Sequence, residues 1–257
     1  MFTMKQHWRL LQTGYGTGFS NMAIDKAILV ANSKGIVPPT VRFYGWVPPA
    51  ISIGYFQSLT EEIDVEACQR FGVSFVRRIT GGGAVFHENE LTYSLVVPES
   101  HPDIPKNILR SYGRICGAVI RGLGYLGVES EYAPINDIVA DGQKISGNAQ
   151  TRQLGTVLQH GTVLMDVDVD KMFSLLRVPN EKMKDKLIAD VKQRVTSIKD
   201  IVGFEVCFED VSSAMKHGFE EEFDIELCVG TLTEEELLLA KRFEQECFST
   251  EEWNRRR

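Results

Sequence analysis

The segment most suited to chemistry is a run of three glycines, Gly81, Gly82 and Gly83, with two arginines before it and a histidine after it. Consecutive glycines cost up to about 1 kcal/mol each in regular structure, so they indicate unusual dihedral angles or close approach of a ligand. Successive backbone N–H groups can bind an anion, and the guanidinium groups of Arg77 and Arg78 add charged donors. The pattern predicts a phosphate or carboxylate cradle, with a functionless tight turn as the alternative. It matches neither G-x-G-x-x-G nor a P-loop, which disfavours a kinase or dinucleotide-binding fold.

Lys144 is the second candidate, because it lies just past the hairpin signal Asp141-Gly142 and among residues typical of strands. A lysine in that position could neutralise a phosphate or polarise a carbonyl inside a pocket, although a solvated surface lysine has the same spacing. Asn136 and Asp137, upstream of the hairpin, could hold a divalent cation beside phosphate groups or form only an Asx turn. Both interpretations stay open on spacing alone.

Histidine and cysteine residues give weaker signals. His160 stands beside Gly161 in a strand-like run, where a structural and a catalytic histidine are both compatible with the sequence. We interpret His7, His101 and His217 as structural. No spacing resembles a metal site of His, Cys and Asp or a G-x-S-x-G serine motif. The cysteines near element ends or inside predicted helices are expected to be buried and inert, namely Cys68, Cys116, Cys228 and Cys247.

Composition sets limits on the class of protein. The 257 residues are 43% hydrophobic and 25% charged, and no linker or repeat divides them, so we expect a single domain over residues 1–257. The net charge of −7 disfavours binding to a nucleic acid backbone. Five dispersed cysteines favour a reducing compartment, and the sequence contains neither a secretory signal nor an apolar run of membrane-spanning length. We therefore expect a cytoplasmic protein that binds neither nucleic acid nor membrane.

Residue periodicity predicts the elements that must position these candidates. Strands are predicted over 8–12, 41–45, 51–55, 73–78, 91–97, 128–132, 138–140, 144–149, 156–164 and 225–228. Helices are predicted over 21–31, 64–71, 104–126, 171–176, 181–191 and 211–222, near 198, and from Thr233, which forms a capping box with Glu236. This order predicts an α+β fold in which helices cover one face of a mixed, mostly antiparallel sheet. The three glycines fall between two strands.

Three motifs in order resemble the lipoate-protein ligase family of the biotin/lipoate ligase superfamily. They are R-R-x-T-G-G-G-A-V-F-H at 77–87, N-D followed by G-x-K-x-S-G-x-A at 136–149, and Q-H-G-T-V-L at 159–164. The resemblance runs over nearly the whole chain. It implies a catalytic domain with the α+β fold of the biotin/lipoate ligases that transfers a lipoyl or octanoyl group through acyl-AMP to a specific lysine of a lipoyl-domain protein.

The resemblance also implies roles for individual residues. Lys144 is the expected catalytic residue, meeting the acyl carbonyl and the phosphate. The expected contacts of the acyl-adenylate are Arg78, Gly81, Gly82, Gly83, Ala84, His87, Asn136, Asp137, Gly147, Asn148 and His160. The segment beside the acyl pocket is expected at Gly54, Tyr55, Phe56 and Gln57.

Cofactors and partners follow from the same resemblance. It implies ATP or lipoyl-AMP, with lipoate as substrate and Mg²⁺ held by Asp137. The implied acceptors are lipoyl-domain proteins of the glycine cleavage H protein type or the 2-oxoacid dehydrogenase E2 type. Self-sufficient ligases carry a smaller accessory domain after the catalytic one, whereas this sequence ends soon after Trp253. A separate accessory-domain protein is therefore an expected partner, and the isolated chain is expected to bind lipoyl-AMP but to form it poorly.

Two other functions compete with the ligase interpretation. The sequence is also similar to octanoyltransferases, which take octanoyl from acyl carrier protein through a cysteine thioester. Their cysteine precedes the G-x-K motif, and this sequence has none between Cys116 and Lys144. The ligase is therefore placed first and the octanoyltransferase second. A protein that only binds lipoate or lipoyl domains is the third possibility, and loss of turnover in Lys144→Ala would exclude it.

Overall fold

The computed structural model describes residues 5–177 and 184–257. The strands in chain order are β1 (Gln6–Gly16), β2 (Thr40–Trp46), β3 (Ala50–Ile53), β4 (Ser74–Arg77), β5 (Val85–His87), β6 (Glu90–Pro98), β7 (Glu131–Ala133), β8 (Asp137–Ala140), β9 (Gln143–Gln153), β10 (Thr156–Leu164) and β11 (Ile225–Val229). The helices are α1 (Gly18–Ser33), α2 (Leu59–Glu62), α3 (Val65–Phe71), α4 (Ile108–Tyr125), α5 (Val169–Leu175), α6 (Lys184–Lys192), α7 (Ile198–Val202), α8 (Phe208–Phe223), α9 (Glu234–Phe243) and α10 (Glu251–Asn254). A π-helical turn, Glu244–Phe248, follows α9.

A large sheet of eight strands runs through the described residues in the order β11-β1-β2-β6-β10-β9-β8-β7. Strand β1 pairs in parallel with both β2 and β11. The remaining neighbours pair antiparallel. The predicted α+β class with a mixed, mostly antiparallel sheet is therefore confirmed.

Helices lie on both faces of this sheet, so the expectation of one covered face was wrong. Phe43 on β2 packs against Phe219 of α8, in a core that α4 also enters. The next residue, Tyr44, lies in a second core with Trp46 and Ile28 of α1. Central strands that are buried on both sides lack polar alternation, so their sequence does not show that two faces are covered.

A second sheet of three strands, in the order β4-β3-β5, holds the glycine segment. Strand β3 pairs in parallel with β4 and antiparallel with β5. The sequence predicted β3 and β4, although the predicted β3 ends two residues too late. It missed β5, which has only three residues. Residues 81–84 thus lie in the connection between β4 and β5, which both pair with β3.

Local signals located several element boundaries. Asp141 and Gly142 adopt φ of 49° and 75° and join β8 to β9, as the hairpin signal predicted. The capping box at Thr233 is confirmed. Helix α1, predicted over 21–31, begins at Gly18, because the Thr17 side chain accepts a hydrogen bond from Ser20 N–H and caps it.

Of two further predicted helices, one begins later than predicted, and the other includes residues that the structure does not describe. The helix predicted from 104 begins at 108, because the Asn107 side chain accepts a hydrogen bond from Arg110 N–H and caps it. Residues 181–183 of the helix predicted over 181–191 lie outside the described residues. Within 5–177 and 184–257, no helix combines the length and the apolar character that crossing a bilayer requires.

Candidate active site

A cavity of about 150 Å³ brings the three sequence motifs together. Its wall is built by the connection between β4 and β5, by β9 and by β10. The predicted site residues on this wall are Arg78, Gly82, Gly83, Ala84, His87, Asn136, Lys144, Gly147, Asn148 and His160. Residues from segments that are distant in sequence therefore face one space, as a binding site for a small molecule requires.

The glycine segment presents unused backbone donors. No described residue accepts a hydrogen bond from the N–H groups of residues 81–84. Gly82 has φ of +99°, which favours glycine, and a Cβ there would lie 2.8 Å from Nη2 of Arg78. The segment therefore has donors for an anion and a backbone shape that depends on glycine.

Arg78 supports this segment from beneath. Its guanidinium is buried and donates to the carbonyl oxygens of Gly81 and Gly83 at 2.8 and 2.7 Å and to that of Ser52 at 2.9 Å. Further bonds reach the hydroxyls of Thr80 and Ser52, so every donor group binds a neutral acceptor. Burial lowers the pKa of Arg78 to about 10, which leaves it charged at neutral pH. The arginine shapes the loop and adds positive charge beneath it.

Lys144 enters the cavity from β9. Its Nζ lies 2.7 Å from Oδ1 of Asp137, and both side chains are about a third to two fifths exposed. Asp137 stands on β8 opposite Gly147, and a Cβ on Gly147 would lie 2.8 Å from Cε of Lys144. The absence of a side chain at Gly147 thus gives the lysine its room. The backbone of Lys144 is fixed as well, since its N–H donates to the carbonyl of Arg194 at 2.7 Å.

Asn136 and Asn148 clamp the two arms of the β8–β9 hairpin. The N–H and the side-chain amide of Asn148 donate to the Asn136 carbonyl at 3.0 and 2.9 Å. Tyr93 donates its hydroxyl to Oδ1 of Asn148 at 2.6 Å. Most hydrogen-bonding groups of the Asn148 side chain therefore bind other groups of the protein. These bonds hold the hairpin and so position Lys144 and Gly147.

His160 connects the cavity to a buried polar network. Its Nε2 lies 2.7 Å from Oγ1 of Thr80, and its Nδ1 lies 3.4 Å from Oδ2 of Asp25. Burial lowers the pKa of His160, although Asp25 partly opposes this. Burial by itself raises the pKa of Asp25, but hydrogen bonds and charge from His160 and Arg42 outweigh it and lower the pKa. The network fixes the residue that precedes the glycine run.

His87 forms the cavity wall with residues that the sequence did not predict. Its ring stacks on Trp46 with centroids 4.0 Å apart, while Nε2 lies 2.8 Å from Oγ of Ser52 and Nδ1 lies 2.7 Å from Oε1 of Glu90. Other unpredicted wall residues are Met22, Tyr44, Val85, Thr92, Ala149, Gly161 and Thr162. In the sequence, Tyr44 and Trp46 are two residues apart in a strand, which places both side chains on one face. This spacing does not show whether that face lines a cavity.

Six of the residues expected from the family resemblance lie outside the cavity wall, namely Gly54, Tyr55, Phe56, Gln57, Gly81 and Asp137. Gly54 lies behind the glycine segment, and a Cβ there would lie 2.0 Å from the Gly82 carbonyl oxygen. Tyr55 N–H donates to the Thr80 carbonyl at 2.9 Å. Its ring faces Arg256, which lies 3.8 Å above it and lowers the pKa of the Tyr55 hydroxyl through a hydrogen bond and its charge. The 54–56 segment thus supports the cavity from outside.

Arg77 joins this supporting segment to α10. Its buried guanidinium donates to the carbonyl of Gly54 at 3.1 Å and to that of Gln57 at 2.6 Å. It also donates to the carbonyl of Asn254 at 2.8 Å, and the Arg77 N–H donates to Oδ1 of the same asparagine at 2.7 Å. The arginine predicted as an anion donor is therefore an internal brace.

No cysteine lies on the described wall of the cavity. Cys116 is buried in the core on the α4 side of the sheet, where Gln159 Nε2 lies 3.8 Å from its Sγ. Burial raises the pKa of Cys116 to about 12, so the thiol is protonated at neutral pH. The expectation of burial holds for Cys68 and Cys116 but was wrong for Cys228, which is exposed at the edge strand β11.

The arrangement suits a reaction in which an acyl centre becomes negative. Free N–H groups of the glycine segment, buried charge on Arg78 and the ammonium of Lys144 all face or underlie one cavity. Such fixed donors stabilise a developing oxyanion or a phosphate. Asp137 belongs to no described cluster of three metal-binding side chains. A Mg²⁺ there would depend on this one carboxylate and on phosphate oxygens, so the predicted magnesium role stays a prediction.

Comparison with protein families gives one match over most of the chain. The family described as lipoyl protein ligase A/B catalytic domain matches residues 17–220. A curated relative, octanoyltransferase LipM of Geobacillus kaustophilus, is 40% identical over 98% of this chain and 99% of the relative. Octanoyltransferase LipM of Bacillus subtilis is 34% identical, again over 98% of this chain and 99% of the relative.

Two solved structures with a similar fold are lipoate ligases. A bi-partite lipoate protein ligase of Thermoplasma acidophilum, described together with its E2 lipoyl domain, superposes with a TM-score of 0.87 at 31% identity and covers 97% of this chain and 96% of its own. A lipoate-protein ligase A bound with ATP gives a TM-score of 0.84 at 31% identity, over 97% of this chain and 98% of its own. Relatives by sequence and relatives by structure thus carry two related activities.

Proposed function

Because this chain belongs to the lipoyl protein ligase A/B catalytic domain family, we propose that it joins an octanoyl or lipoyl group to a lysine of a lipoyl-domain protein. The enzymes of this family attach or transfer such acyl groups. The two candidate reactions described below therefore form the same product, an amide between the acyl group and the lysine. The observation that carries the proposal is that Lys144 and residues 82–84, whose N–H groups have no acceptor among the described residues, line one cavity.

Octanoyl transfer from a carrier thioester is the first candidate. The two curated relatives are octanoyltransferases that match nearly their whole length, which supports this alternative better than the ligase interpretation that the sequence placed first. In this reaction the acceptor amine attacks the thioester carbonyl, the carbon–sulfur bond breaks, and the carrier thiol leaves with a proton. Since the described cavity wall has no thiol, the attack in this chain is direct and forms no cysteine acyl-enzyme.

The chain's own groups have defined tasks in that step. The N–H groups of residues 82–84 and Nζ of Lys144 bind the carbonyl oxygen as it gains negative charge. Arg78 holds the glycine segment in shape before substrate arrives, which avoids reorganisation during the reaction. Asp137 holds Lys144 until the acyl donor replaces it.

ATP-dependent lipoate ligation is the second candidate, and the same missing thiol favours it. Acyl-AMP needs no protein nucleophile, and the anion donors of the cavity suit its phosphate. Two structural relatives with this fold are lipoate ligases, one of them bi-partite and one bound with ATP. In this case the present chain performs the transfer, and a separate accessory protein would complete activation as in the bi-partite ligase.

One experiment separates these candidates. The purified chain and an apo lipoyl domain are incubated with octanoyl carrier protein, with lipoyl-AMP, or with lipoate and ATP, and the acceptor is weighed by mass spectrometry. We expect modification with octanoyl carrier protein. Modification only with lipoyl-AMP or with lipoate and ATP would replace the first candidate by the second.

Lys144→Ala is the variant that tests catalysis itself, and we expect it to lose transfer with every donor. Lys34→Ala is its control, because Lys34 is exposed and pairs with Glu235 outside the cavity wall. Full modification by Lys144→Ala would contradict the proposed catalytic centre. Absence of modification by the wild-type chain with all three donors, together with tight binding of the lipoyl domain, would favour the non-catalytic binder.

A further inference from the structure

Three side chains with metal-binding atoms meet on the exposed edge of the large sheet. They are His7 on β1 and Glu226 and Cys228 on β11, and one ligand atom from each lies within 4.8 Å of the others. Nδ1 of His7 lies 3.4 Å from Sγ of Cys228 and 3.4 Å from Oε2 of Glu226. The sequence separates His7 from the other two by more than two hundred residues, so no local spacing revealed the group.

The strand register explains why the three side chains meet. Strands β1 and β11 pair in parallel, with His7 opposite Glu226 and Arg9 opposite Cys228. Glu226 and Cys228 are two residues apart on one strand and therefore point to the same side of the sheet. Their neighbours Ile225 and Leu227 are buried, which directs the other two outward.

We propose that His7, Glu226 and Cys228 bind a zinc ion or a similar borderline divalent cation. A tetrahedral zinc site with Zn–N of about 2.0–2.1 Å and Zn–S of about 2.3 Å separates nitrogen from sulfur by about 3.6 Å. It separates nitrogen from a carboxylate oxygen by about 3.3 Å. The two observed distances of 3.4 Å are within a few tenths of an ångström of this geometry.

The chemistry of the three ligands suits the same cation. Imidazole, thiolate and carboxylate are the side chains that bind zinc in proteins, and a thiolate disfavours Mg²⁺ and Ca²⁺. Binding removes the proton of the Cys228 thiol, and the thiolate and the Glu226 carboxylate together balance a 2+ charge. The nearby Lys5 ammonium already pairs with Asp224 at 3.3 Å. All three ligands are exposed, so a water molecule could supply a fourth ligand.

A cation at this position would connect two strands at the edge of the fold. Strand β11 is the outermost strand on this side of the sheet and pairs only with β1 among the described strands. Metal bonds to both strands add a cross-link there, so binding raises the melting temperature of the folded chain. The inference is independent of the proposed acyl transfer, because none of the three residues lies on the cavity wall.

Cobalt binding tests the site directly. The metal-free, reduced chain is titrated with Co²⁺, whose thiolate charge-transfer and d–d bands report sulfur ligation and tetrahedral geometry, and Zn²⁺ is then added in competition. We expect one equivalent of Co²⁺ to produce these bands and Zn²⁺ to remove them. Cys228→Ser should abolish the sulfur band, and His7→Ala should weaken binding at least about tenfold. All three ligands are exposed, so these variants are expected to fold.

Cys207→Ser is the matched control, because Cys207 is the other exposed thiol and belongs to no described metal-binding cluster. It should leave the cobalt spectrum unchanged. A second measurement follows alkylation of Cys228 and Cys207 by peptide mass spectrometry, and Zn²⁺ should slow only the alkylation of Cys228. Equal cobalt bands in Cys228→Ser and the wild type, or equal alkylation of Cys228 with and without Zn²⁺, would overturn the proposal.

Discussion

The Nζ of Lys144 and the Oδ1 of Asp137 lie 2.7 Å apart at the cavity, so the candidate catalytic cation is paired before any substrate is present. Both side chains are partly exposed, and an ion pair of this kind contributes only about 0.2–1 kcal/mol to stability. The pair therefore costs little to open. An incoming anionic or polarised acyl donor can take the lysine from the aspartate.

Lys144→Ala should reduce kcat/KM for acyl transfer at least about 100-fold, because the cation that stabilises the developing charge is lost. Asp137→Asn should cause a smaller loss, since Lys144 stays present but is less well positioned. Neither change should lower the free energy of unfolding by more than about 1 kcal/mol. Steady-state kinetics and urea titration measure the two effects. A larger loss in Asp137→Asn than in Lys144→Ala would assign the main role to the carboxylate.

Gly54→Ala should destabilise the chain by about 1–3 kcal/mol and also reduce transfer. The new Cβ would lie 2.0 Å from the carbonyl oxygen of Gly82, so the glycine segment has to move. Gly124→Ala is the control, because Gly124 is in α4 with nothing within 4 Å of its Cβ position. Thermal unfolding and transfer rates measure both variants. Equal melting temperatures for the two variants would show that the chain accommodates the Cβ at position 54 without loss of stability.

Arg77→Ala should lower the free energy of unfolding by at least about 3 kcal/mol, because several buried carbonyl groups lose their donor together. We expect weaker binding of the acyl donor in the fraction that stays folded, since the 54–57 segment loses its attachment to α10. Arg110→Ala is the control, as Arg110 is exposed in the first turn of α4. Urea titration and donor KM are the measurements. A loss no larger than in the control would mean that Arg77 does not brace the segment.

Stability should fall as the pH drops below 6.5, the ordinary pKa of histidine. The pKa of buried His160 is lowered, so the unfolded chain takes up this proton at a higher pH than the folded chain does. Asp25, whose pKa is also lowered, adds a loss only below its ordinary value of 3.8. His160→Gln keeps a hydrogen-bonding side chain and should reduce this dependence, while His101, whose pKa burial also lowers, keeps part of it. Urea titrations at pH 7 and pH 5 measure the free energy of unfolding at each pH. If this free energy falls by the same amount in the variant as in the wild type, another group causes the dependence.

Cys116→Ala should transfer acyl groups at a rate within about twofold of the wild type, because its buried, protonated thiol faces the core rather than the cavity. The substitution should lower only the free energy of unfolding, by about 1 kcal/mol, because it removes a small side-chain volume from the core. Transfer from octanoyl carrier protein and the intact mass of the enzyme during turnover are the measurements. An octanoyl adduct that disappears in this variant would establish a thioester intermediate.

Sequence reasoning succeeded where the signal is local. The turn at Asp141-Gly142 requires two positive φ angles, and the capping box of Thr233 and Glu236 spans one helical turn, so neighbouring residues determine both. The glycine segment belongs to the same class, since its composition alone indicated an unusual backbone. The glycine run and the hairpin turn thus pointed to two of the segments that line the cavity, residues 82–84 and β9.

Residues whose roles depend on distant segments were missed. Trp46, Ser52 and the Asp25 network reach the cavity only through strand pairing and helix packing, which the order of elements does not determine. Arg77 and Arg78 are adjacent and look alike in sequence, yet their side chains brace different segments. The two covered faces of the sheet were missed for a related reason, because fully buried strands lose the polar alternation that marks a face.

The brace at Arg77 links the order of synthesis to the maturation of the catalytic centre. Its partner Asn254 follows it by 177 positions, so a nascent chain carries the finished glycine loop long before α10 leaves the ribosome. Until then Arg77 can contact Gly54 and Gln57 but not α10, so the segment at 54–57 lacks one of its attachments. The outer support of the cavity is thus completed only after translation has passed residue 254.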